Sequence, residues 1–324
     1  MAGAARAERS LAASRTTRIL LLGGSGQVGS ALLSRLAEWG EVTAPRRSQL
    51  DLGSAPALRE AVRALQPAIV VNAAAYTAVD RAEAEPEFAL RVNADAPAIL
   101  AEEARRCGAI LLHYSTDYVF DGAKTTPYGE EDATGPLNVY GRSKLLGEER
   151  VAAASGAWFI VRTGWVYAAR GRNFLLTLLR RGGEQETLKV VADQVGTPTP
   201  AAAVAEATLD ILRACRGPGA YERAQSLAGI YHAGCAGQAS WFQFARAIFS
   251  EAGSAGLGAT LKVAQVLPIT SAEYAAAASR PRYSVLSKEK IARTFGFQPP
   301  RWEDGLAEVM RQVAGRAPAQ EAAR

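Results

Sequence analysis

The sequence predicts an α/β protein: a doubly wound, Rossmann-type parallel sheet followed by a smaller C-terminal α/β lobe. Two observations lead to this prediction. Short, wholly apolar segments alternate with amphipathic segments of helical length through the first half of the chain, which is typical of strands buried on both faces of a parallel sheet. In addition, a run of glycines follows the first apolar segment, as a tight connection from a strand to a helix requires.

The composition is that of a globular chain. It has 324 residues, 48% of them hydrophobic, which is enough for a sizeable core in one large domain or in a main domain with an appendage. No apolar stretch approaches the roughly 20 residues that span a bilayer, so we expect a cytoplasmic protein without membrane contacts. The net charge of +5 and the scattered arginines do not suggest a nucleic-acid surface, but they allow a basic pocket for an anionic ligand.

Cysteine and histidine are scarce. The three cysteines, Cys107, Cys215 and Cys235, are widely spaced and odd in number, which fits reduced thiols in a cytoplasm. Two histidines are too few for a three-histidine metal site. His113 lies inside an apolar strand, where we expect a structural role. We therefore predict no metal site.

The first strand is predicted at residues 18–22 and the first helix at residues 30–39. Between them Gly23, Gly26 and Gly29 give the spacing G-x-x-G-x-x-G. Glycines allow the backbone to turn sharply and to approach a pyrophosphate without a Cβ in the way, while the helix N-terminus faces the phosphates. The turn therefore predicts dinucleotide binding, with a purely structural turn as the alternative.

The second strand, residues 41–44, predicts which nicotinamide cofactor binds. Pro45, Arg46 and Arg47 follow it where an acidic residue would bind the 2′-hydroxyl of NAD. Arginine instead suits the 2′-phosphate of NADPH. We therefore predict NADPH, with NADH as the alternative cofactor and ordinary loop charges as the alternative reading of the two arginines.

The rest of the chain continues the alternation. Further strands are predicted at residues 68–71, from 109 to Thr116, at 158–163 and at 229–232, and further helices at 56–65 with Ser54 as its cap, 87–107, 138–154, 173–181, 201–215 and 240–252. We expect a dinucleotide-binding domain mainly at residues 18–165 and a substrate-binding lobe mainly at 166–315, with strands interleaved. Residues 1–17 are expected to be a disordered leader and residues 316–324 a tail.

Tyr140 and Lys144 are the main candidates for chemistry. On a helix they stand one turn apart on the same face. A nearby ammonium favours the phenolate and lowers the pKa of a tyrosine below its usual value of about 10, which makes the phenol a usable general acid. Thr116 ends a strand at the carboxyl edge of the sheet, where open α/β sheets bind ligands. Because the Tyr-x-x-x-Lys spacing is common by chance, the pair alone is weak evidence.

An ordered set of motifs resembles the extended short-chain dehydrogenases/reductases. The set consists of the glycine turn 23–29, segment 72–80, Ser-Thr-Asp-Tyr-Val-Phe from Ser115, Tyr140 with Lys144, segment 164–167, Asp-Gln-Val-Gly-Thr-Pro-Thr at 193–199, and Arg280-Pro281 with Ser284 and Leu286. The resemblance runs from about Arg18 to about Gly315. Within the family it is greatest to reductases that act on dTDP-linked 4-keto sugars.

The resemblance implies a two-lobed enzyme that binds NADPH and a dTDP-sugar. Hydride from the nicotinamide would add to the C4 ketone of the sugar while Tyr140 protonates the emerging alkoxide, giving a precursor of a cell-surface polysaccharide. Lys144 would bind the nicotinamide ribose and depress the pKa of the tyrosine, and Thr116 would orient the sugar oxygen.

The residues and the resemblance together predict two sets of contacts. The cofactor set is Gly23, Gly26, Gln27, Val28, Arg46, Asp51, Leu52, Ala73, Ala74, Ala75, Tyr140 and Lys144. The substrate set is Thr77, Val79, Thr116, Tyr118, Tyr140, Trp165 and Arg280. Trp165 could instead belong to the core, and Arg280 is included because it could clamp a diphosphate.

Two other functions remain open on this scaffold. An epimerase or dehydratase would keep NAD bound, but a dehydratase is expected to carry a glutamate after Asp117, where this chain has Tyr118. A non-catalytic regulatory subunit is expected to lose Tyr140 or Lys144, and both are present. Some members of the family dimerise through magnesium held partly by a glutamate on the first helix. Ala31 stands at the matching position, so we predict neither that site nor that dimer, and a monomer or homodimer remains open.

Overall fold

Parallel strands form the central sheet of the computed structural model, which describes residues 17–316. The strands in chain order are β1 (Arg18–Leu22), β2 (Glu41–Thr43), β3 (Ile69–Asn72), β4 (Ile110–Thr116), β5 (Trp158–Thr163), β6 (Val166–Tyr167), β7 (Thr187–Val191), β8 (Val195–Gly196), β9 (Thr199–Pro200), β10 (Gly229–His232), β11 (Ala239–Ser240) and β12 (Gln265–Ile269). Six of them build the central sheet in the order β10-β5-β4-β3-β1-β2. All neighbours in it are parallel.

The order of the strands determines where a ligand can bind. From β1 the chain first adds β2 on one side and then crosses to add β3 on the other, so the direction of winding switches between β1 and β3. In open α/β sheets, ligands bind beyond the carboxyl ends of the strands at such a switch point. The glycine turn after β1 lies at this edge, and the predicted doubly wound α/β fold is confirmed.

Helices cover both faces of the sheet and build the second lobe. In chain order they are α1 (Gln27–Ala37), α2 (Ala55–Leu65), α3 (Val79–Ala82), α4 (Pro86–Leu90), α5 (Ala96–Cys107), α6 (Val139–Ala153), α7 (Phe174–Glu184), α8 (Ala201–Ala214), α9 (Ala220–Ser226), α10 (Trp241–Ser254), α11 (Ser271–Tyr274), α12 (Glu289–Phe295) and α13 (Trp302–Ala314). The first helix was expected at residue 30 but begins at Gln27, because the glycine turn ends at Gly26, which has an extended backbone.

Alternation of side chains along each strand produces two separate cores. In β1, Ile19 and Leu21 pack on one face with α1 and α8, while Leu20 and Leu22 pack on the other with α2, α5 and α6. Such strands, buried on both faces, read as continuous apolar runs. This is why the short runs in the sequence located the strands correctly.

The predicted helix at residues 87–107 is divided. The chain forms α4, then a π-helical turn at Arg91–Asp95, then α5. Asn93, in the π turn, accepts a bond from the Tyr76 amide at 2.8 Å and donates to the Tyr76 carbonyl oxygen at 3.0 Å and to the Ser143 hydroxyl at 2.9 Å. The buried amide therefore ties the segment after β3 to α6, the helix that bears Tyr140.

The second lobe has its own apolar core, in which Phe244 of α10 and Leu306 of α13 are buried. Its small sheets pair β7 with β12 in parallel and β8 with β11 antiparallel. A capping box at Ser240 starts α10, since the Ser240 hydroxyl accepts from the Gln243 amide and the Gln243 side chain accepts from the Ser240 amide. The expected leader and tail lie outside the described residues, apart from Thr17 and Arg316.

Candidate active site

A cavity of about 640 Å³ opens at the carboxyl ends of β1, β4 and β5 and extends to the second lobe. Most of the predicted site residues lie in its wall. They are Gly26, Gln27, Val28, Ala75, Thr77, Val79, Thr116, Tyr118, Tyr140, Lys144 and Trp165. The fold therefore brings residues that are far apart in the sequence to one place.

The helix that carries Tyr140 and Lys144 is held in place at its first turn. Asn138 caps it: its side-chain oxygen accepts from the Gly141 amide at 2.7 Å, and its side-chain nitrogen donates to the Ser279 carbonyl oxygen at 2.7 Å. The cap joins α6 to the C-terminal segment. Tyr140 and Lys144 lie on the same face of α6, as predicted.

Lys144 points into a polar site beneath the cavity. Its side chain is 1% exposed, and its ammonium donates to the Tyr114 carbonyl oxygen at 2.6 Å, with the Nε2 atom of His113 at 3.1 Å. Burial lowers the pKa of Lys144 to about 8, although the nearby Glu148 carboxylate opposes this shift. The lysine is therefore an amine that can gain or lose its proton near physiological pH.

The prediction that Lys144 lowers the pKa of Tyr140 is wrong for this structure. Burial raises the pKa of Tyr140 to about 12, and the negative charge of Asp117 acts in the same direction, while a hydrogen bond with Thr116 opposes them. The hydrogen bonds of the Lys144 ammonium go to β4 instead of to the phenol. Tyr140 consequently keeps its proton at neutral pH.

Thr116 and Asp117 form the floor of the cavity. The Thr116 hydroxyl accepts from the Tyr118 amide at 3.2 Å and donates to the Asp117 carboxylate at 3.1 Å. Burial raises the pKa of Asp117 to about 6, a shift that hydrogen bonds from Ser284 and Thr116 reduce. A carboxylate thus holds the hydroxyl beside Tyr140.

Aromatic rings form one wall of the cavity. Trp165 stacks on Trp241 with ring centroids 3.3 Å apart and planes 2° from parallel. The backbone of Trp165 is left-handed, with φ of 52°, an uncommon and strained conformation for a bulky residue. Tyr118 meets Tyr140 edge to face at 6.0 Å. Trp165 is thus a cavity residue, although the sequence left this undecided.

A second cavity of about 240 Å³ lies on the other side of the glycine turn. Its wall includes the predicted cofactor residues Gly23, Gly26, Asp51, Leu52, Ala74 and Ala75. Arg47 lines it as well, with its guanidinium 5.8 Å from the Phe88 ring centre, whereas the predicted Arg46 lies outside the lining. An apolar slot with a cation at its rim has the chemistry to take an adenine ring, with the cation near the 2′-position of the attached ribose.

The glycine turn packs too closely for side chains at two of its positions. Gly23 has φ of 76°, and a Cβ there would lie 2.6 Å from the Ala73 backbone, while a Cβ on Gly29 would lie 2.1 Å from the Gly23 carbonyl oxygen. Side chains are therefore excluded, and the turn can lie flat against β3 and α1. Ala73 contributes its backbone to this packing and lies in neither cavity wall.

Two buried hydroxyl groups also line the main cavity. Ser115 Oγ and Thr163 Oγ1 have no hydrogen-bond partner among the described residues. Buried polar atoms usually have a hydrogen-bond partner, so both hydroxyls are available to a polar group that enters the cavity.

Arg280 does not reach the cavity wall. It forms an ion pair with Asp80 at 2.7 Å and donates to the Ala278 carbonyl oxygen at 3.0 Å. It also contacts the Tyr118 hydroxyl, whose pKa is nevertheless raised, chiefly by burial. Arg280 therefore supports the cavity from behind Tyr118.

Sequence reasoning missed several residues of the wall. Arg170 and Arg172 stand on a turn between β6 and α7, both exposed at the mouth of the cavity, and Trp241 is the first residue of α10. No spacing rule marks them, because they come from the second lobe and reach the cavity only through tertiary folding. The one local signal was Arg170-Gly171-Arg172, a glycine turn with two cations.

No three His, Cys, Asp or Glu side chains within residues 17–316 are grouped closely enough to hold a metal ion. In the same described range, no helix combines the length and apolar character needed to cross a bilayer.

Comparison with known proteins gives consistent matches. The family model described as the RmlD substrate binding domain matches residues 17–314. The chain is 44% identical to dTDP-4-dehydrorhamnose reductase of Burkholderia thailandensis over 299 residues, 91% of this chain and 99% of the relative. It is 40% identical to dTDP-4-dehydrorhamnose reductase of Salmonella typhimurium, over 91% of this chain and 97% of the relative.

A solved structure agrees in fold as well as in sequence. The crystal structure of dTDP-4-dehydrorhamnose reductase from Bacillus anthracis in complex with NADP matches with a TM-score of 0.81 and 36% sequence identity. The match covers 92% of this chain and 99% of that chain. Both lobes of the present structure are therefore represented in the relative.

Proposed function

The chain belongs to the dTDP-4-dehydrorhamnose reductases, NAD(P)H-dependent members of the extended short-chain dehydrogenases/reductases, and we propose that it reduces dTDP-4-dehydro-L-rhamnose to dTDP-L-rhamnose. One observation carries the proposal. Thr116, Tyr140 and Lys144 line one cavity together with residues of the glycine turn after β1. A proton donor therefore lies beside the place where a dinucleotide would bind.

Each of the cavity residues has a separate role in the proposed reaction. When bound, a reduced nicotinamide supplies the hydride that converts the C4 ketone of the sugar to an alkoxide. Tyr140 donates its proton to that oxygen. Because the pKa of Tyr140 is raised to about 12, the phenol is protonated at neutral pH, which is the form that a proton donor needs.

Thr116 orients the sugar oxygen. In the free protein its hydroxyl proton faces the Asp117 carboxylate, so substrate binding requires the hydroxyl to turn toward the C4 oxygen. The backbone amide of Tyr118 keeps the threonine oxygen in place during this rotation. Lys144 holds the nicotinamide ribose, and Thr77, Val79, Tyr118 and Trp165 enclose the sugar.

We further propose that NADPH is preferred to NADH. The support is Arg47 at the rim of the cavity that suits adenine, together with a second arginine before it and no acidic residue in the Pro45–Ser48 stretch that follows β2. The guanidinium would make charge-assisted hydrogen bonds to a 2′-phosphate. Residues 18–165 would mainly bind the cofactor and residues 166–315 mainly the sugar nucleotide.

Turnover against a small panel of compounds tests the proposal. Purified protein is mixed with NADPH and either dTDP-4-dehydro-L-rhamnose, the matching UDP sugar, or dTDP-L-rhamnose, which has no ketone. Consumption of NADPH with the first compound and none with the third is expected. If the protein consumes NADPH with neither of the two 4-keto sugar nucleotides, the proposal is wrong. NAD that stays bound to the protein through purification would favour an epimerase or dehydratase.

A further inference from the structure

Lys144 is held from behind by a buried histidine that the reaction does not require as an acid or base. His113 Nε2 lies 3.1 Å from the Lys144 Nζ, and His113 Nδ1 lies 3.1 Å from the Asn72 side-chain nitrogen. Asn72 and His113 are direct partners in the β3–β4 ladder. All three side chains are at most 1% exposed, so they form one line of polar groups inside the sheet.

The protons in this line are constrained by chemistry. A lysine ammonium has only donors, so Nε2 of His113 must accept when Lys144 is charged. The proton of the neutral imidazole then sits on Nδ1 and faces Asn72. In the structure the Asn72 nitrogen faces Nδ1 and its oxygen accepts from the Ala74 amide at 3.3 Å. Rotation of the amide gives up that long bond and lets the Asn72 oxygen accept the Nδ1 proton.

His113 is the side chain that is placed to accept a hydrogen bond from the Lys144 ammonium. The other acceptor is the Tyr114 carbonyl oxygen, which belongs to the backbone of β4. Glu148, one turn further along α6, is already paired with Arg162 at 2.6 Å, and Tyr140 lies one turn in the other direction. Burial and the charge of Lys144 both lower the pKa of His113 well below its usual range, so the ring is neutral.

We propose that His113, backed by Asn72, is a positioning residue for Lys144, which accepts a hydrogen bond from the ammonium and holds it at the edge of the cavity. The inference rests on the proposed role of Lys144 in the reaction. In this proposal β4, through His113, favours the charged form of Lys144 and fixes the position of its ammonium. A histidine that only satisfied the Asn72 amide nitrogen would accept at Nδ1 and carry its proton on Nε2, so the two roles differ in tautomer.

The tautomer can be measured in the protein without cofactor or substrate. The chain contains only two histidines, His113 and His232, so protein labelled with ¹⁵N-histidine gives two imidazole patterns. His113 is assigned as the pattern lost in His113→Gln. A neutral ring protonated at Nδ1 at neutral pH is expected. Protonation at Nε2, or a ring that titrates near its usual pKa, would overturn the proposal, and neither result depends on the reaction.

Paired substitutions test the consequence. His113→Leu removes the acceptor at similar volume, while His113→Gln keeps a side-chain oxygen that can accept from Lys144. We expect His113→Leu to lower turnover by about tenfold or more, since a hydrogen bond to a charged group is lost, and His113→Gln to restore most of it. The proposal would be contradicted if both variants fold and lose turnover equally, or if His113→Leu keeps the turnover of the wild type.

A second measurement does not require activity. In the cofactor-free protein, ¹³C labelling of the lysine side chains reports the titration of Lys144, assigned with Lys144→Arg. Loss of the acceptor disfavours the ammonium, so the pKa of Lys144 should fall in His113→Leu and recover in His113→Gln. His232→Gln, a change at the other buried histidine, should leave it unchanged. An unchanged pKa in folded His113→Leu would overturn the assignment; if that variant does not fold, the tautomer decides.

Discussion

Lys144 Nζ lies 2.6 Å from the carbonyl oxygen of Tyr114, which precedes Thr116 by two residues on β4. The hydrogen bond joins the helix that carries the proton donor to the strand that carries the orienting hydroxyl. The catalytic groups on α6 and β4 therefore keep a constant spacing. Because the Lys144 ammonium bonds the strand and not the phenol, it does not lower the pKa of Tyr140 in the free protein.

The first prediction concerns alkaline pH. The pKa of Lys144, lowered to about 8 by burial, means that the ammonium is lost as the pH rises through about 8, whereas Tyr140, with a pKa raised to about 12, keeps its proton there. If the charged lysine is required, kcat/KM should fall on the alkaline side with a midpoint near pH 8. Lys144→Arg stays charged, so its profile should lack this decline. A decline at the same pH in both proteins would contradict the assignment.

The second prediction concerns cofactor choice. Arg47→Ala should weaken the binding of NADPH more than that of NADH, because only NADPH offers a 2′-phosphate to the lost guanidinium. Arg46→Ala serves as the matched control and should have a smaller effect, since Arg46 lies outside the cavity wall. Dissociation constants measured by fluorescence titration check this. Equal losses for both cofactors in Arg47→Ala would remove the assignment to the 2′-phosphate.

The third prediction concerns the stacked tryptophans. A Cβ on Gly196 would lie 2.3 Å from the indole of Trp165, so Gly196→Ala should push Trp165 away from Trp241. The KM for the sugar nucleotide should rise while NADPH binding is little changed, and the tryptophan fluorescence should shift. Gly253→Ala is the control, because a Cβ there meets open space. An unaltered KM in Gly196→Ala would show that the stack does not shape the sugar site.

The fourth prediction concerns stability. Glu103 is buried on α5 and bonds Arg63 at 2.7 Å and Arg59 at 2.9 Å on α2. These bonds lower the pKa of Glu103 to about 2 from 4.5. A lowered carboxyl pKa adds stability that is present above pH 4.5 and is lost as the pH falls through about 2.

Glu103→Gln should therefore lower the free energy of unfolding by on the order of 2 kcal/mol at neutral pH, less than the full shift because the arginines are partly solvated. The difference from wild type should vanish near pH 2. Glu102→Gln, at an exposed partner of Arg59, should cost under about 1 kcal/mol. Urea denaturation at several pH values tests both variants, and a constant difference at all pH values would contradict the account.

The fold could be predicted because its signals are local. Apolar runs such as residues 68–71 mark strands, and caps such as Ser54 mark helix starts. The strands predicted at 158–163 and 229–232 coincide with those found. The π turn around Asn93 could not be predicted from the sequence, because it depends on a hydrogen bond to Ser143, which lies far along the chain.

The candidate site was predictable where strand ends, helical spacing or the family resemblance mark its residues. Thr116, Tyr140 and Lys144 were found through spacing and strand ends. Trp241 was not assigned to the site, since its place depends on how the second lobe packs. The direction of the Tyr140 pKa was misjudged because a spacing of one helical turn says nothing about burial, which dominates here.

The central claim is that the Tyr140 phenol delivers the proton in a nicotinamide-dependent ketone reduction. Tyr140→Phe removes only the hydroxyl, and Tyr118→Phe, whose ring lies 6.0 Å away, is the matched control. Turnover of dTDP-4-dehydro-L-rhamnose with NADPH by Tyr140→Phe, measured alongside NADPH binding, tests the claim most directly. We expect turnover to fall by about 100-fold or more with NADPH binding nearly intact. Turnover equal to that of the wild type would contradict the account.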